Sequence, residues 1–543
     1  METAKTKEIL RIDNLDVSLV ESGKTLIRDI SFTLHAGETL CLVGESGSGK
    51  SLTSLAVMGL LDPGALRVSA GRILVEGIDV LAASAEELRQ MRATRMSMVF
   101  QEPMTALNPT ETVGAQVEEV LRVHGEGNAV TRRERVLKMF EAVHLPAPER
   151  IHASYPYQLS GGQRQRIVIS MALILNPRLL IADEPTTALD VTTQRQILAL
   201  IEEMQQKFGT AVLFITHDFG VVSDIADRIV VMNRGDLVET GTRDEILARP
   251  RQDYTRMLVS SVPSLVPPGR MPVTGAQILE VANLNKVYTQ GSFLSGRRRV
   301  DALKPTGLTL ATGEILGIVG ESGSGKTTLA RCLTRLIEPT GGAIRLGDTD
   351  ISAMSQRQLR PYRRRFQVVF QDPFRSLNAR LRVRDIVAEG MLNFGTPREE
   401  AYARVGDLLE RVGLSVEMMD RYPHQFSGGQ RQRICIARAL ALRPEVLIAD
   451  ESVSALDVSV QKQVLELLRE ICDETGVGII FITHDLRVAA RICDRVLVMQ
   501  RGEVVESGSV DEVLTRPAQA YTRELIGAAP GRNWDFEHFR PFA

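Results

Sequence analysis

The strongest constraint on this chain is that it is written twice. Gly-Glu-Ser-Gly-Ser-Gly-Lys stands at residues 44–50 and again at 320–326, an offset of 276. Val-Phe-Gln recurs at 99–101 and 369–371, an offset of 270. Ser-Gly-Gly-Gln (160–163, 427–430), Ile-Ala-Asp-Glu (181–184, 448–451) and Ile-Thr-His-Asp (215–218, 482–485) all recur at 267. The order is preserved, so one domain is present in two copies. A chain of 543 residues is long enough for that. The first copy is expected over residues 1–261 and the second over 278–527. Between them, 262–277 holds Pro263, Pro267, Pro268, Gly269, Pro272 and Gly275 and reads as a semi-extended linker. A tail, 528–543, carries the only Trp with Phe536 and Phe539. It either docks on a partner or packs on its own domain.

Short continuous apolar runs at 40–43, 98–100, 179–182, 212–215 and 229–232 read as buried strands. Such runs, separated by helical patterns, fit a parallel sheet covered on both faces. Between Gln101 and Ser160 the period changes. Val117, Val120 and Leu121, then Val136, Leu137, Phe140 and Val143, recur at helical spacing, which predicts a small helical insert.

Gly44-Glu45-Ser46-Gly47-Ser48-Gly49-Lys50-Ser51-Leu52 and Gly320-Glu321-Ser322-Gly323-Ser324-Gly325-Lys326-Thr327-Thr328 fit a phosphate-binding loop that opens a helix. The glycines let backbone N–H groups curl round an anion, and the helix turns its positive end to it. Lys50 and Lys326 would neutralise terminal phosphates; Ser51 and Thr327 would offer a hydroxyl to Mg²⁺. Chance would give the pattern in roughly 0.02 chains of this length, and here it occurs twice. Apolar runs ending in Asp183-Glu184 and Asp450-Glu451 put acids beside the phosphate crevice of an open α/β sheet. The Asp would hold Mg²⁺, directly or through water, and the Glu would polarise the attacking water. Ser160-Gly161-Gly162-Gln163 and Ser427-Gly428-Gly429-Gln430 open helices with exposed N–H groups.

The net charge is −2, which gives no bulk sign of nucleic-acid affinity. Basic runs at 297–299 and 363–365 read as solvated loops. The five cysteines are scattered, with no C-x-x-C, which argues against zinc, iron–sulfur or disulfide frameworks and for a reducing compartment. The first residues lack the apolar core of a secretory leader, and no apolar run reaches membrane-spanning length.

Phosphate loop, Val-Phe-Gln, Ser-Gly-Gly-Gln, apolar-Asp-Glu and Thr-His, in that order, resemble the ATP-binding-cassette ATPases over nearly the whole chain. The resemblance implies two P-loop NTPase cassettes of α/β class, each a parallel-sheet core with a helical subdomain. It implies ATP and Mg²⁺ as ligands and a head-to-tail cassette pair with two ATP sites. One site would pair Lys50, Glu184 and His217 with Ser427, Gly428 and Gly429. The other would pair Lys326, Glu451 and His484 with Ser160, Gly161 and Gly162. It also implies that Gln101 and Gln371 reach the metal and link the nucleotide to a membrane partner, that Asp190 and Asp457 are dimer contacts, and that Tyr288 stacks on adenine. Residues 102–109 and 372–378, with Tyr254-Thr255-Arg256 and Tyr521-Thr522-Arg523, are similar to the oligopeptide importer branch. The fused tandem form is similar to the ATPases of microcin C and peptide uptake systems. That branch implies two membrane permeases, an extracytoplasmic solute-binding protein and a peripheral place on the cytoplasmic face of the cell membrane. The rival class, soluble twin-cassette proteins of ribosomes or DNA, usually shows a long basic helical linker or zinc cysteines, and neither is here. Two positions depart from the pattern. Leu19 stands where the second copy has Tyr288, and Ser452 follows Glu451 where Pro185 follows Glu184.

Overall fold

The computed structural model describes residues 7–101, 106–186, 189–290, 298–454 and 456–542. The importer-like segment at 102–105 and Arg297 of the first basic run lie outside the described residues. Contacts divide the chain into two units, Met1–Val262 with Asn533–Ala543, and Pro263–Arg532.

In the first unit, strands Arg228–Asn233, Thr39–Val43, Ala211–Thr216, Leu179–Asp183 and Met96–Val99 lie side by side in that order, all parallel. Thr39–Val43, Leu179–Asp183 and Ala211–Thr216 are buried at every residue, so they have no polar face and need helices on both sides. The second unit repeats the order with Arg495–Gln500, Ile315–Val319, Gly478–Thr483, Val446–Asp450 and Phe366–Val369. Each unit is thus a parallel α/β core, and the helical subdomain follows. In the first, Val113–Val123 is capped by Thr112, and Ala129–Ala142 by an Asn128–Thr131 capping box. Val117, Leu121, Val136, Phe140 and Val143 are fully buried.

The periodicity reading missed an antiparallel layer. Glu8–Leu19 pairs with Thr25–His35 and with Leu66–Val75. Its register shifts between Ile12 and Leu15, where Asn14 takes φ 47°. A bulge of this kind inserts a residue and breaks the period-two alternation that marks a half-buried strand. Gly71 faces it; a Cβ there would lie 2.4 Å from the Asn14 carbonyl oxygen. Glu280 to Leu284 of Gln277–Gln290 carry the same irregularity, with Asn283 at φ 52° and Gly342 opposite.

The Pro-rich stretch groups with the second unit. Arg270 there donates to the carbonyls of Arg491, at 2.6 Å, and Ile492, so a charged anchor invisible to composition fixes it. The tail divides: residues up to Arg532 stay with the second unit, and Asn533 onward belongs to the first. There Trp534–Asp535 and Arg540–Pro541 form a small antiparallel hairpin, the latter against the helix Arg243–Ala248. Phe536 is buried and Trp534 nearly so. All five cysteines are buried and unpaired, with their thiol pKa values raised by burial. No helix among the described residues is long and apolar enough to cross a membrane.

Candidate functional site

Each phosphate loop leaves a fully buried strand and enters a helix, Lys50–Val57 or Lys326–Leu333. Gly44 (φ 152°) and Gly320 (φ 149°) make the turn. A Cβ on them would sit 2.2 Å from the Met232 oxygen and 2.3 Å from the Met499 oxygen, so only glycine lets the loop lie against the neighbouring strand. The N-caps are Gly49 and Gly325, which offer no side chain to the first-turn N–H groups. A helix start of this kind can take an anion. Ser46, Gly47, Ser322 and Gly323 are exposed at the loop crests, and Leu52 and Thr328 are half-buried in the first helical turn. Lys50 is buried with its ammonium folded into the loop, 2.8 Å from the Gly44 carbonyl and 2.9 Å from that of Glu45. Lys326 repeats this at 2.7 and 2.8 Å on Gly320 and Glu321.

Asp183 and Asp450 end the adjacent strands. Burial pushes each carboxyl up to about 6. In the first unit Ser51 Oγ donates to Asp183 Oδ1 at 3.2 Å. In the second, Asp450 Oδ1 is buried with no hydrogen-bond partner among the described residues. A buried anionic oxygen without a donor is costly, and a hard cation would satisfy it. One carboxylate and one hydroxyl are the protein donors that Mg²⁺ takes when water and phosphate oxygens supply the rest. The residues present fit that ion.

Glu184 and Glu451 follow with φ 47° and 46°, a left-handed conformation unusual for Glu. Their N–H groups donate to Ile215 and Ile482 oxygens, both at 2.9 Å, which holds the turn to the next strand. That strand delivers His217 and His484. His217 Nδ1 lies 3.0 Å from Glu184 Oε1, while Gln101 Nε2 donates to Oε2 at 2.9 Å. In the second unit His484 Nδ1 is 3.5 Å from Glu451 Oε1, and Gln371 Nε2 donates to Oε2 at 2.8 Å. Burial alone would raise Glu451 and lower His484. Their mutual attraction outweighs it, so the carboxyl is held low and the imidazole high. Both oxygens of each glutamate are therefore engaged by the two residues expected to sense phosphate and partner.

The Ser-Gly-Gly-Gln segments open the helices Gly161–Leu173 and Gly428–Leu440. Ser160 and Gln163 form a capping box: Gln163 N–H donates to Ser160 Oγ at 3.3 Å and Ser160 N–H to Gln163 Oε1 at 3.0 Å. Ser427 and Gln430 do the same. The identical Ser and Gln thus have a local structural cause as well. Gly162 and Gly429 have another: a Cβ would meet Thr193 Cγ2 at 2.5 Å and Val460 Cγ1 at 2.3 Å. Gly428 has open space around it among the described residues, none of which demands glycine there. Asp190 caps its helix through Thr193 N–H at 2.9 Å. Asp457 holds the matching N-cap position. Tyr288 is partly exposed on its strand, with Lys286 Nζ 5.2 Å from the ring centroid, whereas Leu19 offers no ring. Sequence reasoning placed Tyr254 and Tyr521 in a C-terminal extension but not at the loop. Their hydroxyls accept the N–H of Glu45 at 3.4 Å and of Glu321 at 3.2 Å. The signal was the Tyr-Thr-Arg repeat; its target is a fold-level contact.

A glycine-turned loop of phosphate-loop pattern, an aspartate whose surroundings fit a cation and a Gln–Glu–His arrangement, all twice, are the pattern of an ATP-binding cassette protein. The ABC transporter family matches residues 27–187 and 303–454, and the C-terminal region of the oligopeptide/dipeptide transporters matches 238–297. The chain belongs to the ABC transporter family, as an ATP-binding and ATP-hydrolysing subunit. It is 44% identical, over 96% of its length and 89% of theirs, to the glutathione import ATP-binding protein GsiA of Shigella boydii serotype 4 (strain Sb227) and of Escherichia coli (strain K12). A solved dimeric cassette, MJ0796 bound to ADP and Pi, is 30% identical, with 43% of this chain and 98% of that chain covered and a TM-score of 0.39.

Proposed function

We propose that this chain powers import of peptides or peptide-like solutes, glutathione being the solute named for relatives 44% identical to it. The observation that carries the ATPase chemistry is the doubled Gln–Glu–His cluster beside a phosphate loop. Lys50 and Lys326 turn from loop carbonyls to the terminal phosphates. Ser51 with Asp183, and Thr327 with Asp450, would hold Mg²⁺, which would supply charge neutralisation of the phosphates. Glu184 and Glu451 orient water and take its proton, while His217 and His484 reach the departing phosphate. Gln101 and Gln371 would release Glu184 and Glu451 for work on the attacking water and turn toward the metal. Each site is completed by the signature helix of a facing cassette, through the open N–H groups at Gly161 and Gly428. Transport work requires a docked surface, because no described helix spans a membrane. That surface is the helical subdomain, on two permeases at the cytoplasmic membrane face, fed by an extracytoplasmic solute-binding protein.

Co-expression with candidate permeases tests this. Co-elution, with ATP hydrolysis stimulated by a peptide-loaded binding protein, is the expected result. A chain that elutes without permeases and follows ribosomes or DNA would replace the importer reading with the soluble twin-cassette one.

A further inference from the structure

The second residue of each phosphate loop is gripped from both sides. The Glu45 carbonyl accepts from Lys50 at 2.9 Å, and its N–H donates to Tyr254 Oη at 3.4 Å. Tyr254 also directs its own proton to Glu45 Oε2 at 3.4 Å. In the second unit the Glu321 carbonyl accepts from Lys326 at 2.8 Å and its N–H donates to Tyr521 Oη at 3.2 Å.

The tyrosines are well anchored. They lie in the first turns of Asp253–Ser260 and Ala520–Ala528. Each helix start is pinned to the sheet by a glutamate that accepts two N–H groups. Glu239 takes those of Arg251 and Gln252 at 2.8 and 3.1 Å; Glu506 takes those of Ala518 and Gln519 at 2.7 and 3.1 Å. The next residues, Thr255 and Thr522, are fully buried. Glu239 and Glu506 belong to Asp236–Thr242 and Glu503–Ser509, which pair with the strands whose Met232 and Met499 oxygens abut the loops. A phenol on a rigid lever against the loop backbone therefore occurs in both copies of the domain.

We propose that Tyr254 and Tyr521 are positioning residues for the phosphate loops. Each hydroxyl holds the loop's second peptide in the shape that receives a nucleoside triphosphate, and so ties the C-terminal region to nucleotide occupancy. The inference rests on the ATPase reading above. It follows from what happens to the grip when nucleotide arrives. The lysine would leave the Gly44 and Glu45 carbonyls for the terminal phosphates, while the tyrosine keeps its hold on the Glu45 N–H. Its loss weakens the loaded loop more than the empty one, where the lysine still holds.

The test is nucleotide affinity against turnover in the full chain. Tyr254→Phe and Tyr521→Phe keep the rings and remove only the hydroxyls. ATP binding is measured in the Glu184→Gln/Glu451→Gln background and hydrolysis in the otherwise native chain. The expected result is a Kd raised about two- to tenfold per variant, the usual weight of one hydrogen bond. Turnover at saturating ATP should fall by less than that, and nucleotide-free thermal midpoints should stay near wild type. Tyr254→Phe carries the test alone if the more buried Tyr521→Phe does not fold. An unchanged Kd, or a lowered nucleotide-free midpoint with unchanged Kd, overturns the proposal and leaves a packing role. A wild-type chain that neither binds nor hydrolyses ATP overturns the ATPase reading itself.

Discussion

Glu184 and Glu451 sit in left-handed backbone with both carboxylate oxygens engaged, an arrangement that a purely structural residue would have little reason to keep. Glu184→Gln and Glu451→Gln should each cut hydrolysis at their own site by about 10²–10⁴-fold while ATP still binds. Single-turnover assays on the two single variants and the double check this; a double variant with wild-type turnover sinks the assignment. Asp183 carries a different signature. Its folded pKa, about 6, lies above the ordinary aspartate value, so the folded metal-free chain binds more protons than the unfolded one between about 4 and 6. Its contribution to stability therefore falls as pH rises through that window. Asp183→Asn should raise the metal-free stability at pH 7 by roughly 1–3 kcal/mol and abolish the stabilisation by Mg²⁺ with nucleotide. Thermal melts at pH 4, 5, 6 and 7 would show it, and a variant less stable than wild type at pH 7 would refute it. These residues were legible in the sequence because each follows an apolar strand in both copies. The Asp450 oxygen without a donor was not, since only packing decides which polar atoms find partners.

At the scale of elements, the glycines of the signature helix separate packing from function. Gly429→Ala would drive a methyl into Val460, and overpacking of this kind costs about 1–3 kcal/mol. Gly428→Ala meets open space and should leave the thermal midpoint nearly unchanged, within about 0.5 kcal/mol. If a facing cassette closes on this helix, Gly428→Ala nevertheless depresses ATP hydrolysis. A variant with both normal stability and normal hydrolysis would remove Gly428 from the site. The sequence made the parallel strands and the insert's helices readable, since buried strands are continuous apolar runs and the helices keep their spacing. The antiparallel layer stayed hidden because the bulges at Asn14 and Asn283 shift the alternation midway along each strand. The capping role of Ser160 and Gln163 was readable in principle, as a Ser followed three residues later by Gln.

Across the whole molecule, duplication was the most legible property and the course of the tail the least. Trp534 and Phe536 are apolar residues at a chain end, a pattern that names no docking site. The hairpin they begin rests against Arg243–Ala248 of the first unit. Burying two aromatic side chains contributes about 3–6 kcal/mol relative to leaving them in water. Deleting residues 533–543 should therefore speed hydrogen exchange across Arg243–Ala248 and lower the melting of the first unit by several degrees. Exchange unchanged over that helix would mean the hairpin adds nothing to it. Trp534 is the only Trp, so its emission should shift to the red when the hairpin lifts away. The first unit is thus assembled from two stretches of the polypeptide with the second unit between them in sequence. Translation delivers its opening 262 residues early, yet its last pieces arrive only after Arg532 has been made. A chain interrupted before Asn533 leaves the Arg243–Ala248 helix bare, so the finished surface of the first cassette depends on residues made only after the second has been synthesised.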